Sequence, residues 1–393
     1  MWINRTFSKK IALQNTFKPI ILVTGARQVG KSSLLKRLFP QANYVNFDRA
    51  SVAADAESNP NSFLKSLGTT AILDEIQYVP SLLREIKYII DSDESKSIRY
   101  YLTGSQRLEV MQGVTESLAG RVSIFDLDSL SPAELRRANI PNDTMVQRGG
   151  YPELWASPGQ TSKQFYDDYV TSYLERDVRS MIQIESLRTF DRFLRAVALR
   201  VGSLVNYSAI AKDIGISSNT VNKWTQVLAA TNIISIVEPY FTNQSKRLIK
   251  TPKIYFRDNG ILCHLLRAYE EDPWREHILA GKIWENFVYV TLLRECIQLG
   301  YQRGIHFWQE KSRGEIDFLV EHGNTVTLIE AKAAENPTVS DLNFELFIKH
   351  YPMVKTRLIV ACPNALQSSY LTPEIQSINP LTANLMTHKT VWR

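Results

Sequence analysis

The stretch GARQVGKS, Gly25–Ser32, constrains this chain more than any other feature. It fits the template G-x-x-x-x-G-K-S/T at every position, follows the apolar run IILVT and opens the helix-forming segment SSLLKRLF. Glycines at that spacing let backbone N–H groups turn inward around phosphate oxygens, and the next helix adds the partial positive charge of its N-terminus. Gly25, Ala26, Arg27, Gln28, Val29, Gly30, Lys31, Ser32 and Ser33 are therefore expected to hold a nucleotide. Lys31 has the reach for β- and γ-phosphates, and Ser32 is a ligand for Mg2+. A strand, loop and helix in this order belong to an α/β fold, a P-loop NTPase with a largely parallel sheet.

The rest of the first third supplies the partners such a loop needs. Candidate strands are Ile20–Thr24, Tyr44–Phe47, Thr70–Leu73, Arg99–Thr103 and Val122–Leu127. TTAILDEIQ sets Asp74 and Glu75 directly after a strand, where Asp74 is expected to hold the metal through water and Glu75 to orient and deprotonate an attacking water. RYYLTGS ends in Thr103 and Ser105, polar side chains placed to touch a γ-phosphate or that water. Arg121 in SLAGRV is the preferred arginine for neutralising transition-state charge, with Arg107 as its competitor. SLSPAEL reads as a turn and helix start that closes the segment.

The ordering GARQVGKS, LDEIQ, YLTGS and LAGR followed by LSPAEL resembles bacterial and archaeal AAA+-type ATPases. More narrowly, it is similar to the group whose ATPase core is followed by a winged helix and a restriction-endonuclease-like C-terminal region. RGGYPEL, YLERDV, PKIYFRDNGIL and IWENFV agree, so the likeness runs over roughly residues 15–335. The resemblance implies ATP as the nucleotide and a homo-oligomer in which Arg121 acts on a neighbour. The organisation that follows is an ATPase domain at 1–135, a helical segment at 136–185, a winged-helix domain at 186–257 and an endonuclease-like α/β domain at 258–393.

Charge is unevenly spread along the chain. Residues 186–257 carry 11 basic and 3 acidic side chains, a balance of +8 against +6 for the whole chain. Such a block is the footprint expected of contact with DNA, with a basic surface facing an acidic neighbour as the alternative. Within it, LVNYSAIAKDIGISSNTVNKWTQVL has helix-turn-helix spacing. Ala209, Ile210 and Ile214 form an apolar stripe, Gly215 permits the turn and Ser217 or Ser218 caps the next helix. Val221, Trp224 and Leu228 share one face of that helix, leaving Asn219, Thr220, Asn222, Lys223 and Gln226 outward for a groove. The runs after it suit a wing with NQSKR, Asn243–Arg247, at its tip.

The last third contains a second constellation. Glu285 lies in the helical GKIWENFVYVTLLREC, Asp317 in the alternating EIDFLV, and Glu330 and Lys332 two apart in TLIEAKA. Two residues apart on a strand means one face, so a hairpin turning at Gly323–Asn324 brings these groups together. Glu285, Asp317 and Glu330 would ligate Mg2+ and Lys332 would position a nucleophilic water. The pattern resembles that of restriction-endonuclease-like enzymes, departing from it where Ile316 stands before Asp317 in place of proline. A solvated hairpin with an ordinary Glu330–Lys332 ion pair, or a nuclease fold kept for assembly alone, is the plainer alternative.

Composition sets the remaining bounds. In 393 residues, 44% hydrophobic and 22% charged, no apolar run reaches the eighteen or so residues of a membrane span. MWINRTFSKKIALQ lacks the apolar stretch of a secretory signal. Cys263, Cys296 and Cys362 are odd in number and match no metal spacing, so a reducing, cytoplasmic setting is expected. Two functions remain: an ATP-driven enzyme acting on DNA with a metal nuclease domain, or a regulatory signalling ATPase whose later domains bind protein.

Overall fold

The computed structural model describes residues 2–104, 114, 117–157, 159–173, 187–241, 251–301, 304–310, 314–334, 342–364 and 374–386, without the side chains of Asn142 and Asp143. The chain divides into two compact units, one of Trp2–Ser129 with Ala230–Asn232, the other of Leu130–Ala229 with Ile233–Arg393.

The first unit is built on five parallel strands: β1 (Ile20–Thr24), β2 (Asn43–Asn46), β3 (Thr70–Asp74), β4 (Arg99–Gly104) and β5 (Val122–Asp126), in the order β2-β3-β4-β1-β5. Every expected strand is present, with ends that differ from expectation by at most one residue. Strand β1 is buried along its whole length, as a strand flanked on both sides and covered on both faces must be. Leu22, Leu73, Tyr100 and Leu102 join Leu82, Leu83 and Ile86 of the helix Leu82–Ser92 in one core. Two more helices matter here: α1 (Phe7–Phe17) and α2 (Lys31–Leu38), the latter rising from the end of β1.

The second unit opens with the helix Pro132–Arg137, capped as its sequence predicts: Ser131 accepts from the Glu134 amide, and Glu134 reaches back to the Ser131 amide. The helices Leu187–Ala198, Tyr207–Ile214 and Ser218–Ala230 follow. An antiparallel pair comes next, β6 (Ile234–Val237) with β7 (Lys253–Phe256). A 20-residue helix, Ala280–Leu299, precedes a mixed sheet of β8 (Ile305–Glu310), β9 (Gly314–His322), β10 (Thr325–Ala331), β11 (Lys355–Ala361) and β12 (Ile375–Ile378), ordered β12-β11-β10-β9-β8. Strands β8 to β10 pair antiparallel, and β10 to β12 parallel. Trp308, Ile316, Leu319, Leu328, Phe344, Phe347 and Val360 fill the core on one face of this sheet.

Candidate functional site

The phosphate loop lies between the end of β1 and the start of α2, and its backbone explains its glycines. Gly25 has φ +142°, and a Cβ there would come within 2.0 Å of the Leu127 carbonyl oxygen. Only glycine allows the loop to pass that close under the exit of β5. Gly30 sits at φ 90° as the residue before α2, and Gln28 is left-handed as well. The first helical bond runs from the Leu34 amide to Gly30, so the amides of Lys31, Ser32 and Ser33 stand ahead of the helix ladder. Lys31 is buried, and its ammonium donates to the carbonyls of Gly25 at 3.2 Å and Ala26 at 2.8 Å.

Asp74 is the centre of the polar network at this end of the sheet. Its carboxylate accepts from Ser32 Oγ at 2.6 Å, from Tyr44 Oη at 2.6 Å and from Thr103 Oγ1. The expected partners Ser32, Asp74 and Thr103 are therefore together. Glu75 follows with a left-handed backbone, φ 59°, unusual for a residue with a side chain. Its amide donates to Thr103 Oγ1 at 3.0 Å, and its carboxylate accepts from Gln77. Strain of this kind collects where function demands a particular direction. Ser105 and Arg107 lie outside the described residues.

Two residues of this region carry no motif. Tyr44 on β2 holds the outer oxygen of Asp74, and burial, then the bond to Asp74, push its phenol well above the usual range. Arg5 is buried, donating to the carbonyl of Val29 at 2.8 Å and of Asp128 at 2.6 Å, and so ties the outside of the loop to the exit of β5. A tyrosine in an edge strand and an arginine ahead of a helix carry no such signal in sequence.

Arg121 stands elsewhere. It immediately precedes β5, which runs parallel to β1, so it lies a strand length, about 16 Å, from the loop end of the sheet. Its guanidinium forms a fork with Asp91, Nη2 to Oδ2 at 2.8 Å, on an exposed surface. It does not join its own chain's phosphate site.

In the second unit, the helix-turn-helix expectation corresponds to the helices Tyr207–Ile214 and Ser218–Ala230. Gly215 is left-handed between them, and Ser217 Oγ accepts from the Thr220 amide. Val221, Trp224 and Leu228 are buried, while Asn219, Asn222, Lys223 and Gln226 are exposed and Thr220 is half-buried. On the first helix the stripe is Ile210, Ala211 and Ile214; Ala209, expected there, is half-buried because the helical period turns it toward the flank. Asn243–Arg247 lies outside the described residues.

The second constellation also assembles, with an addition. Strands β9 and β10 pair in register as far as Phe318 with Ile329, which leaves Asp317 and Glu330 just beyond the last pair. Asp317 Oδ2 accepts from the Ala331 amide at 2.8 Å, and Lys332 Nζ is 3.1 Å from Glu330 Oε2. Burial, reinforced by Asp317, raises the proton affinity of both Glu285 and Glu330. Lys253, at the head of β7, enters the same cluster: it contacts Glu315 and stands 3.9 Å from Glu285 Oε1, which also accepts from Tyr255 at 2.6 Å. Burial opposes the charge of Lys253, but Glu285, Glu315 and Asp317 outweigh it and hold the ammonium protonated. Among the described residues, no three His, Cys, Asp or Glu side chains form a group that could hold a metal ion. The carboxylates expected as ligands thus share a neighbourhood without the geometry of a metal centre. Lys253, Tyr255 and Glu315 were not legible as site residues; the one hint is a lysine opening the apolar strand KIYF.

Comparisons with known proteins bear on the domains rather than on single residues. Residues 17–136 match a family described as an AAA domain. Residues 142–272 and 280–382 match two families, each described as a domain of unknown function. An uncharacterized protein of Mycobacterium tuberculosis is 27% identical over 324 residues, 82% of this chain and 72% of that one, and a Mycobacterium bovis protein matches equally. Among solved structures, the Walker-type ATPase of Pyrococcus abyssi aligns with TM-score 0.43 and 19% identity, over 68% of this chain and 96% of that one. The RuvB Holliday junction branch migration motor of Thermotoga maritima aligns with TM-score 0.30 and 16% identity, over 59% and 89%. The first unit carries an AAA-type ATPase domain. Among the described residues no helix is long and apolar enough to cross a membrane.

Proposed function

We propose that this chain hydrolyses ATP with Mg2+ in its AAA domain and couples that cycle to DNA held by its middle segment. The observation that carries the first half is the convergence of Lys31, Ser32, Asp74, Glu75 and Thr103 at one end of a parallel sheet. The donor set fits the group: an ammonium, amides ahead of the first helical bond of α2 for phosphate, and a hydroxyl 2.6 Å from a carboxylate for a hard divalent cation. Mg2+ bound there would supply Lewis acidity to the phosphate oxygens. Lys31 would exchange its bonds to the Gly25 and Ala26 carbonyls for bonds to phosphate oxygens. Ser32 Oγ would turn from Asp74 to the metal, and Asp74 would hold a metal-bound water. Thr103, bonded to both Asp74 and the Glu75 amide, would keep Glu75 aimed at the attacking water.

Arg121 supports the oligomeric part of this reading. Remote from its own loop and exposed, it is suited to a neighbouring copy's γ-phosphate, provided it leaves Asp91. Support for DNA rests on the +8 balance of residues 186–257 and on the exposed row Asn219, Asn222, Lys223 and Gln226. Lys223, with Lys246 and Arg247, would meet phosphates. A nuclease reading would rest on Asp317 near Glu330 with Lys332 beside it. Lys253 within that cluster favours the second reading, a regulatory ATPase whose later domains bind protein and cut nothing.

ATP turnover with and without duplex DNA tests the proposal. Turnover is expected to vanish in Lys31→Ala and to rise when DNA is added. DNA affinity is expected to fall steeply with salt, since phosphate contacts release counterions. Turnover indifferent to DNA, together with affinity indifferent to salt, would favour the regulatory reading. Mixing Arg121→Ala with Lys31→Ala protein tests the neighbour's role: partial recovery of turnover is expected, and none refutes it. Supercoiled plasmid with Mg2+ or Mn2+ tests cleavage, which Asp317→Asn should remove if it occurs.

A further inference from the structure

The cluster in the second unit contains a buried lysine that the proposed ATPase cycle does not use. Lys253 is fixed by its backbone, pairing with Val237 on β6 and bridging to Leu204. Its side chain is 1% exposed. The ammonium contacts Glu315, lies 3.9 Å from Glu285 Oε1 and sits 5.1 Å from the ring centre of Phe307. Tyr255, two residues on and so on the same face, donates to Glu285. Glu285 is pressed from behind as well: a Cβ on Gly202, which has φ +69°, would stand 2.8 Å from both carboxylate oxygens. Asp317 spends one oxygen on the Ala331 amide.

We infer that Lys253 is the resident cation of the Glu285–Glu315–Asp317 cluster, an amine among carboxylates that the sequence offers to a divalent ion. Carboxylates gathered away from water repel one another unless a positive charge sits among them. An ammonium meets that need with three donors and no fixed coordination number. Magnesium demands near-octahedral oxygens at about 2.0–2.1 Å, whereas here one oxygen of Glu285 is bonded to Tyr255 and one of Asp317 to the backbone. A divalent ion would also stand against a lysine that the surrounding protein prevents from leaving. The cluster is therefore closed to metal by its own chain: Glu285 and Asp317, expected as ligands, surround Lys253 instead, and Glu330 pairs with Lys332.

Mn2+ binding to the nucleotide-free full chain, read by electron paramagnetic resonance, tests this independently of ATP turnover. Wild-type and Asp317→Asn proteins are expected to bind the same amount of Mn2+, since nothing at the cluster is lost. Lys253→Met is expected to gain one site at least tenfold tighter than any in wild type, and Lys253→Met with Asp317→Asn to lose it. Lys253→Arg, which keeps the charge, should fold and gain none. A Mn2+ site in wild type that Asp317→Asn removes would overturn the inference. So would a folded Lys253→Met protein that gains no site. If Lys253→Met does not fold, Lys253→Gln serves in its place.

Discussion

The phosphate loop and the C-terminal cluster are made of the same kinds of residue, yet they are prepared for different things. Each brings a buried lysine, carboxylates and a hydroxyl into a few ångströms. In the loop, the bonds of Lys31 to Gly25 and Ala26 go to neutral carbonyls, and those of Asp74 to Ser32, Tyr44 and Thr103 go to neutral hydroxyls. Bonds to neutral groups exchange at modest cost when phosphate and a cation arrive. In the cluster, the buried Lys253 is set against Glu285 and Glu315, the latter with a third of its side chain exposed. There, removing any partner leaves an uncompensated charge. The pairing, not the residue list, separates a site poised for a ligand from one already neutralised.

The sharpest test of the first half is Glu75→Gln. It should bind ATP normally while hydrolysing it about 10²–10⁴-fold more slowly, the usual cost of a lost general base. Normal single-turnover rates would take Glu75 out of that role and leave its left-handed backbone without a functional account.

Stability probes the other half. Lys253→Met should lower unfolding free energy by about 3–5 kcal/mol, the typical cost of breaking a buried ion pair on one side. Lys332→Met, whose partner Glu330 is shared but whose side chain reaches solvent, should cost much less. Equal losses in urea unfolding would erase the distinction drawn between the two lysines.

The smallest effect is expected at Tyr44→Phe. Removing its bond to Asp74 should weaken the Mg2+ dependence of turnover about fivefold, corresponding to about 1 kcal/mol. An unchanged Mg2+ titration would mean that Ser32 and Thr103 orient Asp74 unaided.

The nucleotide loop could be read from sequence because a local pattern sufficed. Gly25, Gly30, Lys31 and Ser32 act within eight consecutive residues, and Asp74, Thr103 and Arg121 each sit at a recognisable strand boundary. The apolar runs placed the strands for the same reason: period and turn residues are properties of neighbours in the chain. Tyr44, Arg5 and Lys253 gave no such signal, since each acts on a partner far along the chain, 30, 123 and 62 residues away for Asp74, Asp128 and Glu315. Ala209 shows the limit within a single helix, where one position of phase decides between flank and core.

By itself the sequence determined the phosphate-binding loop, the parallel α/β sheet around it and the hairpin that brings Asp317 near Glu330. Each follows from short-range spacing: backbone freedom at glycine, alternation along a strand, a turn at Gly323. Only the tertiary structure decided what the carboxylates face. Asp74 faces hydroxyls and Glu285 faces a lysine because folding brings β2 beside β3, and β7 beside the helix Ala280–Leu299. Electrostatic character depends on distance in space and on exclusion of water, and neither is a property of position along the chain.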